Sequence, residues 1–431
     1  MKNAWLFVLA SLLILSCAEK RHSSQFFMPA EWEPHDAVWL GWESRQHPYY
    51  HGTISKLIKE LLPRVPLKIA VDNDSLKRVA KAVLHSHGID TSRISFYTMK
   101  GDRYWIRDHG ATFLVNDNGE LGVADFDWNF YGYPGWLQRS YDQEDSVKKH
   151  LADFYVEGAG SVDSLMAISE QATVLKTKVV HEGGATEVNG KGTLILCEAT
   201  VLQRNPDWTK PDLESEFKRV LGVSKIIWLK KGLADDPHIT ERITGNYFGV
   251  GTGGHTDEFV RFADANTILL AWVDESEKDA HPINAINYER MSENLKILEQ
   301  ATDQDGKPFR IVKFPLPDPI YRPIVITAND NPADTLSMTP DWFLRQEVPA
   351  VGDTIVRVAA ASYLNYLVTN GLVVMPSYTA AGSSAEKEEQ AKKIFQEVFP
   401  GRTVVALPFM PQNWNGGGIH CSTQQQPSRR K

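Results

Sequence analysis

Four short polar clusters, each bounded by glycine and set in or before strand-like sequence, constrain this chain most. They are Arg107-Asp108-His109-Gly110, His181-Glu182-Gly183-Gly184, Gly253-Gly254-His255-Thr256-Asp257 and Gly417-Gly418-Ile419-His420-Cys421. They recur at intervals of roughly 70 to 160 residues, too long for a stacked solenoid repeat. Glycine lets a backbone approach a ligand closely, and polar side chains at such turns do not read as core. Between the clusters, apolar runs alternate with helical patterns. Strands are expected near residues 37–42, 67–71, 94–97, 111–115, 193–196, 226–229, 267–273, 309–314, 371–375 and 403–407. Helices are expected near 54–62, 75–85 (capped by Asp74 or Ser75), 145–155, 213–221, 288–301 and 385–399. Alternation of this kind implies an α/β architecture whose loops converge on one site.

With 42% hydrophobic and 23% charged residues, the 431-residue chain has enough apolar material for one large core or two domains. Its net charge of -8 argues against a general nucleic-acid binder. At the N-terminus Lys2 precedes an apolar run over 4–15, broken only by Ser11 and followed by Ser16-Cys17. The run is too short to span a bilayer and has the layout of an export signal. Its ending resembles a bacterial lipoprotein signal. That implies a signal peptide over 1–17, lipid on Cys17, a tether over 18–27, a globular domain over 28–427 and a tail over 428–431. The expected location is exported, anchored to the membrane through lipid alone and facing the periplasm or the outer membrane. Of the other two cysteines, Cys197 ends the apolar run Thr193-Leu194-Ile195-Leu196 and reads as a buried hydrophobe, not a disulfide partner. Cys421 instead follows three glycines in a polar loop.

A cysteine nucleophile acts as its thiolate, and a histidine at the same centre moves protons as bonds break and form. Two carboxylates beside it would disfavour the thiolate unless a cation sits between them. A guanidinium suits that place, because its planar fork matches carboxylate geometry. Taken singly, each cluster is also what an ordinary turn contains. A metal site from His255, Asp257 and His420 lacks a compact spacing such as His-Glu-x-x-His, and residues 416–421 lack the Lys-Ser or Lys-Thr of a phosphate loop.

Seven stretches in order carry a resemblance: residues 28–35, Trp105-Ile106-Arg107-Asp108-His109-Gly110, Asp127-Trp128-Asn129-Phe130, Glu182-Gly183-Gly184, Gly254-His255-Thr256-Asp257, residues 361–366 and residues 416–427. Together they resemble the agmatine deiminases and the Porphyromonas-type bacterial peptidylarginine deiminases of the same family, from about Phe27 to Pro427. The resemblance implies a pseudo-fivefold α/β propeller with one catalytic domain. It also implies Cys421 as nucleophile, His255 as general acid and base, and Asp108 and Asp257 as guanidinium clamps. Trp105 and Glu182 would line the pocket, Asn365 and Gly418 would contact substrate, and no metal or organic cofactor would be needed. The implied reaction is hydrolysis of agmatine to N-carbamoylputrescine and ammonia, a step of putrescine biosynthesis. Peptidylarginine deimination is the alternative within the class, and a non-catalytic lipoprotein binding cationic solutes is the alternative outside it.

The chain departs from the family pattern in three places. Agmatine deiminases usually show Gly-Thr-Asp-Gly-His-Val-Asp-Asn where this chain has Gly251-Thr252-Gly253-Gly254-His255-Thr256-Asp257-Glu258. Phe130-Tyr131-Gly132-Tyr133-Pro134-Gly135-Trp136 replaces Phe-Asn-Gly-Trp-Gly-Gly-Lys. Extra stretches near 237–249 and 321–353 are expected to reshape the pocket mouth.

Overall fold

One three-strand plan repeats around the molecule: a short strand turns back antiparallel into a second, which pairs in parallel with a third after a helical crossover. In a computed structural model the described residues are 25–42, 48–101, 104–141, 144–154 and 158–430. The expected signal peptide, Cys17 and residues 18–24 of the tether lie outside them. The first set is Thr112–Val115, Leu121–Asp127 and Thr173–Val180. The second is Glu187–Val188, Thr193–Cys197 and Lys225–Leu229. Val260–Asp264, Thr267–Trp272 and Arg310–Pro315 form the third. Leu367–Thr369, Leu372–Ser377 and Thr403–Pro408 form the fourth. The fifth joins the two ends of the chain: Thr423–Pro427 runs antiparallel to His35–Gly41, which pairs in parallel with Leu67–Val71 and through it Ile94–Thr98. These are the blades of a pseudo-fivefold α/β propeller.

Most middle strands are legible because both their faces are covered; Thr193–Cys197 is buried at every position. Leu121–Asp127 and Thr173–Val180 escaped the sequence reading, the first diluted by Gly122, Ala124 and two aspartates, the second by exposed lysines. Helices cover the strands. Lys210–Leu221 starts where Thr209 accepts from the Asp212 N–H, carries Pro211 in its first turn and stops at Gly222, whose φ is 65°. It buries Leu213, Phe217, Val220 and Leu221, each contributing roughly 1.5–3 kcal/mol. For the helix Asp74–Ser86 the cap is Asn73, not Asp74 or Ser75, because Asn73 holds the extended conformation that lets its side chain accept from Leu76.

The two extra stretches meet in a sixth sheet. His238–Thr244 and Tyr247–Thr252 form a hairpin, the latter pairs in parallel with Thr354–Val358, and Tyr321–Val325 flanks that strand. Phe248, Ile326, Met338, Phe343 and Ile355 give this sheet its own small core. Within the expected tether, Phe27 exchanges backbone hydrogen bonds with Val115, and in the expected tail Ser428 donates to the Pro34 carbonyl while Arg430 pairs with Glu33. Residues 25–27 and 428–430 are thus part of the packed body.

The blade plan explains the glycine clusters. Each opens directly into the first strand of a blade, so repetition of the blade brings equivalent loops together. Ile106–His109 precedes Thr112–Val115, Gly183–Ala185 precedes Glu187–Val188, and Thr256–Phe259 precedes Val260–Asp264. Residues 361–366 precede Leu367–Thr369, and residues 417–422 precede Thr423–Pro427.

Candidate active site

These loops converge on one buried point. A Cβ on Gly184, had it one, would lie 2.5 Å from His255 Nδ1, 2.8 Å from Asp108 Oδ1 and 3.0 Å from Asp257 Oδ2. The lack of a side chain at Gly184 therefore lets one imidazole and two carboxylates close tightly on its backbone, where not even a methyl group fits. Cys421 Sγ lies 3.3 Å from Asp257 Oδ2, which adds the nucleophile. The four residues expected to carry the chemistry are brought together from three blades.

Each is held by partners that spacing alone does not reveal. Asp108 accepts from Gly184 N–H at 3.0 Å and from the Tyr131 hydroxyl at 2.9 Å. Burial raises its pKa, and Asp257 and Glu182 add to that, against His255. Glu182 does not stand in the pocket wall where it was expected: fully buried, it receives Arg204 Nε at 2.8 Å and meets His255 Nε2 at 3.2 Å. Burial works against its charge, yet Arg204 and His255 hold its pKa down to about 2. Burial also opposes the imidazolium of His255, but Asp108, Glu182 and Asp257 prevail and lift its pKa to about 9. At neutral pH His255 is a proton donor. The backbone N–H groups of Gly254 and His255 are fixed by the carboxylate of Asp236.

Asp257 is anchored from behind. His420 Nδ1 lies 2.8 Å from its Oδ2, and His420 Nε2 lies 2.8 Å from Glu31, whose carboxylate also meets Arg107 at 3.2 Å and Arg261. Burial alone would raise the pKa of Asp257; the hydrogen bond and charge of His420 hold it below the usual carboxylate range. Its other oxygen, Oδ1, is buried with no protein partner. Burial pushes the Cys421 thiol well up, as do Asp257, Glu258 and Asp108, while the Gly418 backbone opposes them. These neighbours favour the thiol form, and a cation seated between the carboxylates would favour the thiolate.

Above this point opens a cavity of about 150 Å³, lined by Trp105, Asp108, Phe130, Tyr131, Tyr133, Ile239, Val250 and Cys421 among others. That volume suits a small planar group. Trp105, expected as pocket wall, is there; Gly417 lets its ring lie on the nucleophile loop, since a Cβ would come within 2.8 Å of Cζ3. Two of the three departures meet here, through Phe130, Tyr131 and Tyr133 and through Ile239. Phe130, Tyr131 and Ile239 all adopt φ near 60°, a costly conformation that is most unusual for isoleucine.

Asn365 and Gly418, expected to touch substrate, pack against the nucleophile itself: Asn365 Nδ2 lies 3.0 Å from Cys421 Sγ, and the side chain of Asn365 fills the space a Cβ on Gly418 would need. Cys197 is buried and free, as expected. Ligand-type atoms of Asp257, Glu258 and Cys421 lie within 4.8 Å of one another, a set able to hold a cation; His255 and His420 are not in it. Sequence reasoning missed Glu31, Tyr131, Arg204, Asp236 and His420 as functional partners. Only His420, beside the nucleophile, and Glu31, in the first family stretch, had a signal that could have flagged them.

A thiol, an imidazolium and two carboxylates converging at the centre of a five-bladed α/β propeller define a cysteine-dependent hydrolase of guanidine C–N bonds. The chain belongs to the Porphyromonas-type peptidyl-arginine deiminase family, whose model matches residues 27–427. It is 30% identical over 415 residues to the agmatine deiminase of Pseudomonas aeruginosa strain UCBPP-PA14, covering 94% of this chain and 96% of that one. To the agmatine deiminase of Pseudomonas fluorescens strain SBW25 it is 30% identical over 419 residues, with the same coverage. The solved agmatine deiminase of Enterococcus faecalis shares the fold, with a TM-score of 0.71 at 24% identity over 94% of this chain and 96% of that one.

Proposed function

We propose that the protein hydrolyses agmatine to N-carbamoylputrescine and ammonia through a covalent intermediate on Cys421. The observation that carries this reading is the convergence of Asp108, Asp257 and His255 around Gly184, with Cys421 beside them and Asp108 and Cys421 lining the cavity above. The agmatine deiminases among its 30%-identical relatives point to the same substrate. The guanidinium enters between the two aspartates, and as the cation arrives the Cys421 proton passes to solvent. The thiolate attacks the central carbon, and the electron pair of one C=N bond moves to nitrogen. His255 gives its proton to the departing nitrogen, the C–N bond breaks and ammonia leaves a cationic amidino thioether. Neutral His255 then takes one proton from water as its oxygen attacks the same carbon. The C–S bond breaks and the remaining O–H proton passes to solvent, returning thiolate and a neutral ureido product.

A second reading, peptidylarginine deimination, is favoured by one feature: the mouth is rebuilt by Phe130, Tyr131, Tyr133 and Ile239, the last from the added sheet. One assay separates the two. Purified protein is incubated with agmatine, arginine and arginine peptides, and ureido product and ammonia are measured. Turnover of agmatine above the peptides is expected; turnover of peptides alone overturns the first reading. We further propose export, with 1–17 as signal and lipid on Cys17, supported by the apolar run ending in Ser16-Cys17. Incorporation of labelled palmitate that Cys17→Ser abolishes is the expected result, and equal labelling of both proteins rejects it.

A further inference from the structure

We infer that Asn365 is a catalytic hydrogen-bond donor to the Cys421 thiolate, and that Glu258 is the buried anchor that aims it. The inference rests on the reading of Cys421 as nucleophile and gives Asn365 a task other than contact with substrate.

The orientation of the amide is set by its neighbours. Asn365 Oδ1 accepts the backbone N–H of His420 at 2.8 Å and lies 3.4 Å from that of Cys421. A backbone N–H can only donate, so the atom facing it is the oxygen, and the NH2 group must point the other way. Its two hydrogens meet two acceptors, Glu258 Oε1 at 2.8 Å and Cys421 Sγ at 3.0 Å. All four hydrogen-bonding positions of a fully buried amide are therefore used, two of them to hold the nucleophile loop and one on the sulfur.

The sulfur needs such a donor. Its other side-chain neighbour is Asp257 Oδ2, an ionised carboxylate that accepts from S–H and repels S⁻. Donation from Asn365 favours the charged form over the neutral one, as the Gly418 backbone does.

Glu258 stands where related deiminases usually carry asparagine. An ionised glutamate here would bring a further negative charge beside the sulfur. Burial, together with Asp257, Asp236 and Asp235, raises the Glu258 pKa well above the usual carboxylate range and so disfavours that charge. In either form Glu258 Oε1 accepts one hydrogen of Asn365, so that the second stays on Cys421. Asn365 touches the reacting atom; Glu258 acts through Asn365 and is a positioning residue.

The test is the pH dependence of Cys421 alkylation by iodoacetamide in the full chain, read by mass spectrometry of the Cys421 peptide. No substrate is needed, so absence of agmatine turnover would sink the proposed function and leave this test intact. Asn365→Asp keeps the acceptor, removes the donor and adds a carboxylate beside the sulfur, so Asn365→Ala, which removes the donor without adding charge, is measured with it and is expected to shift the pKa in the same direction. Asn365→Asp is expected to raise the apparent thiol pKa by about one unit or more and slow alkylation at fixed pH by about tenfold. Glu258→Ala should shift the pKa in the same direction, and Glu258→Gln, which retains an acceptor, should restore most of the loss. A properly folded Asn365→Asp with wild-type thiol pKa overturns the role of Asn365. Equal effects of Glu258→Ala and Glu258→Gln overturn the anchor. If Asn365→Asp does not fold, Asn365→Ala removes the donor in its place, and a wild-type thiol pKa in Glu258→Ala then counts against the whole inference.

Discussion

Adding one methyl group at Gly184 should disable the enzyme without replacing any reactive group. The Cβ of Gly184→Ala would sit 2.5 Å from His255 Nδ1, 2.8 Å from Asp108 Oδ1 and 3.0 Å from Asp257 Oδ2, and contacts under 3.0 Å essentially do not occur. The φ of Gly184 is negative or extended, so the effect is steric and owes nothing to backbone strain. To reach 3.0 Å the imidazole must retreat by about 0.5 Å (3.0 − 2.5), and an ordinary contact at 3.4 Å needs about 0.9 Å (3.4 − 2.5). Overpacking of this kind costs about 1–3 kcal/mol of stability. A displacement near 1 Å at a reacting centre costs on the order of 10²-fold in rate, equivalent to about 2.7 kcal/mol of transition-state stabilisation. The displaced Asp108 and Asp257 would also hold the guanidinium less well, so KM should rise as kcat falls. Steady-state ammonia release gives both constants, and thermal unfolding together with Cys421 alkylation shows whether the fold and thiol survive. A Gly184→Ala protein with wild-type Tm and kcat/KM within about threefold would show that the reaction does not depend on the close placement of His255, Asp108 and Asp257 around Gly184.

The pKa of His255, raised to about 9, sets two expectations. Activity should fall as pH rises through about 9, where the proton for the leaving nitrogen is lost; a flat pH–rate profile to pH 10 would contradict this. Because the folded value lies above the unfolded one of about 6.5, His255 contributes stability that is fully present below pH 6.5 and is lost as pH rises through about 9. The contribution is on the order of 3 kcal/mol and is checked by denaturant titration across that range. Arg204→Met should leave Glu182 buried and unpaired except for His255, lowering stability by about 3–5 kcal/mol in the same assay. Cys197→Ala should cost only about 1 kcal/mol and leave ammonia release within about twofold, since Cys197 packs in the core and takes no part in the chemistry.

The sequence by itself determined the kind of structure and the kind of chemistry. Apolar runs such as 67–71 and 193–197 read as strands because each is a covered strand of its blade and its pattern is local. Cys421, His255, Asp108 and Asp257 were readable as residue types in glycine loops whose order matched a family. What only the tertiary structure decided is where their charges rest. The chains Glu31–His420–Asp257 and Arg204–Glu182–His255 join residues on different blades, and no spacing encodes them. The extra stretches were visible as insertions, but the pairing of Tyr247–Thr252 with Thr354–Val358 lies about a hundred residues apart along the chain and was not. Glu182 and Asn365 looked like pocket contacts until the blades closed, when one proved to face His255 and the other the sulfur. Local pattern sets which segments become strands and loops, whereas the burial that moves a pKa and the partner that offsets it exist only once five loops share one centre.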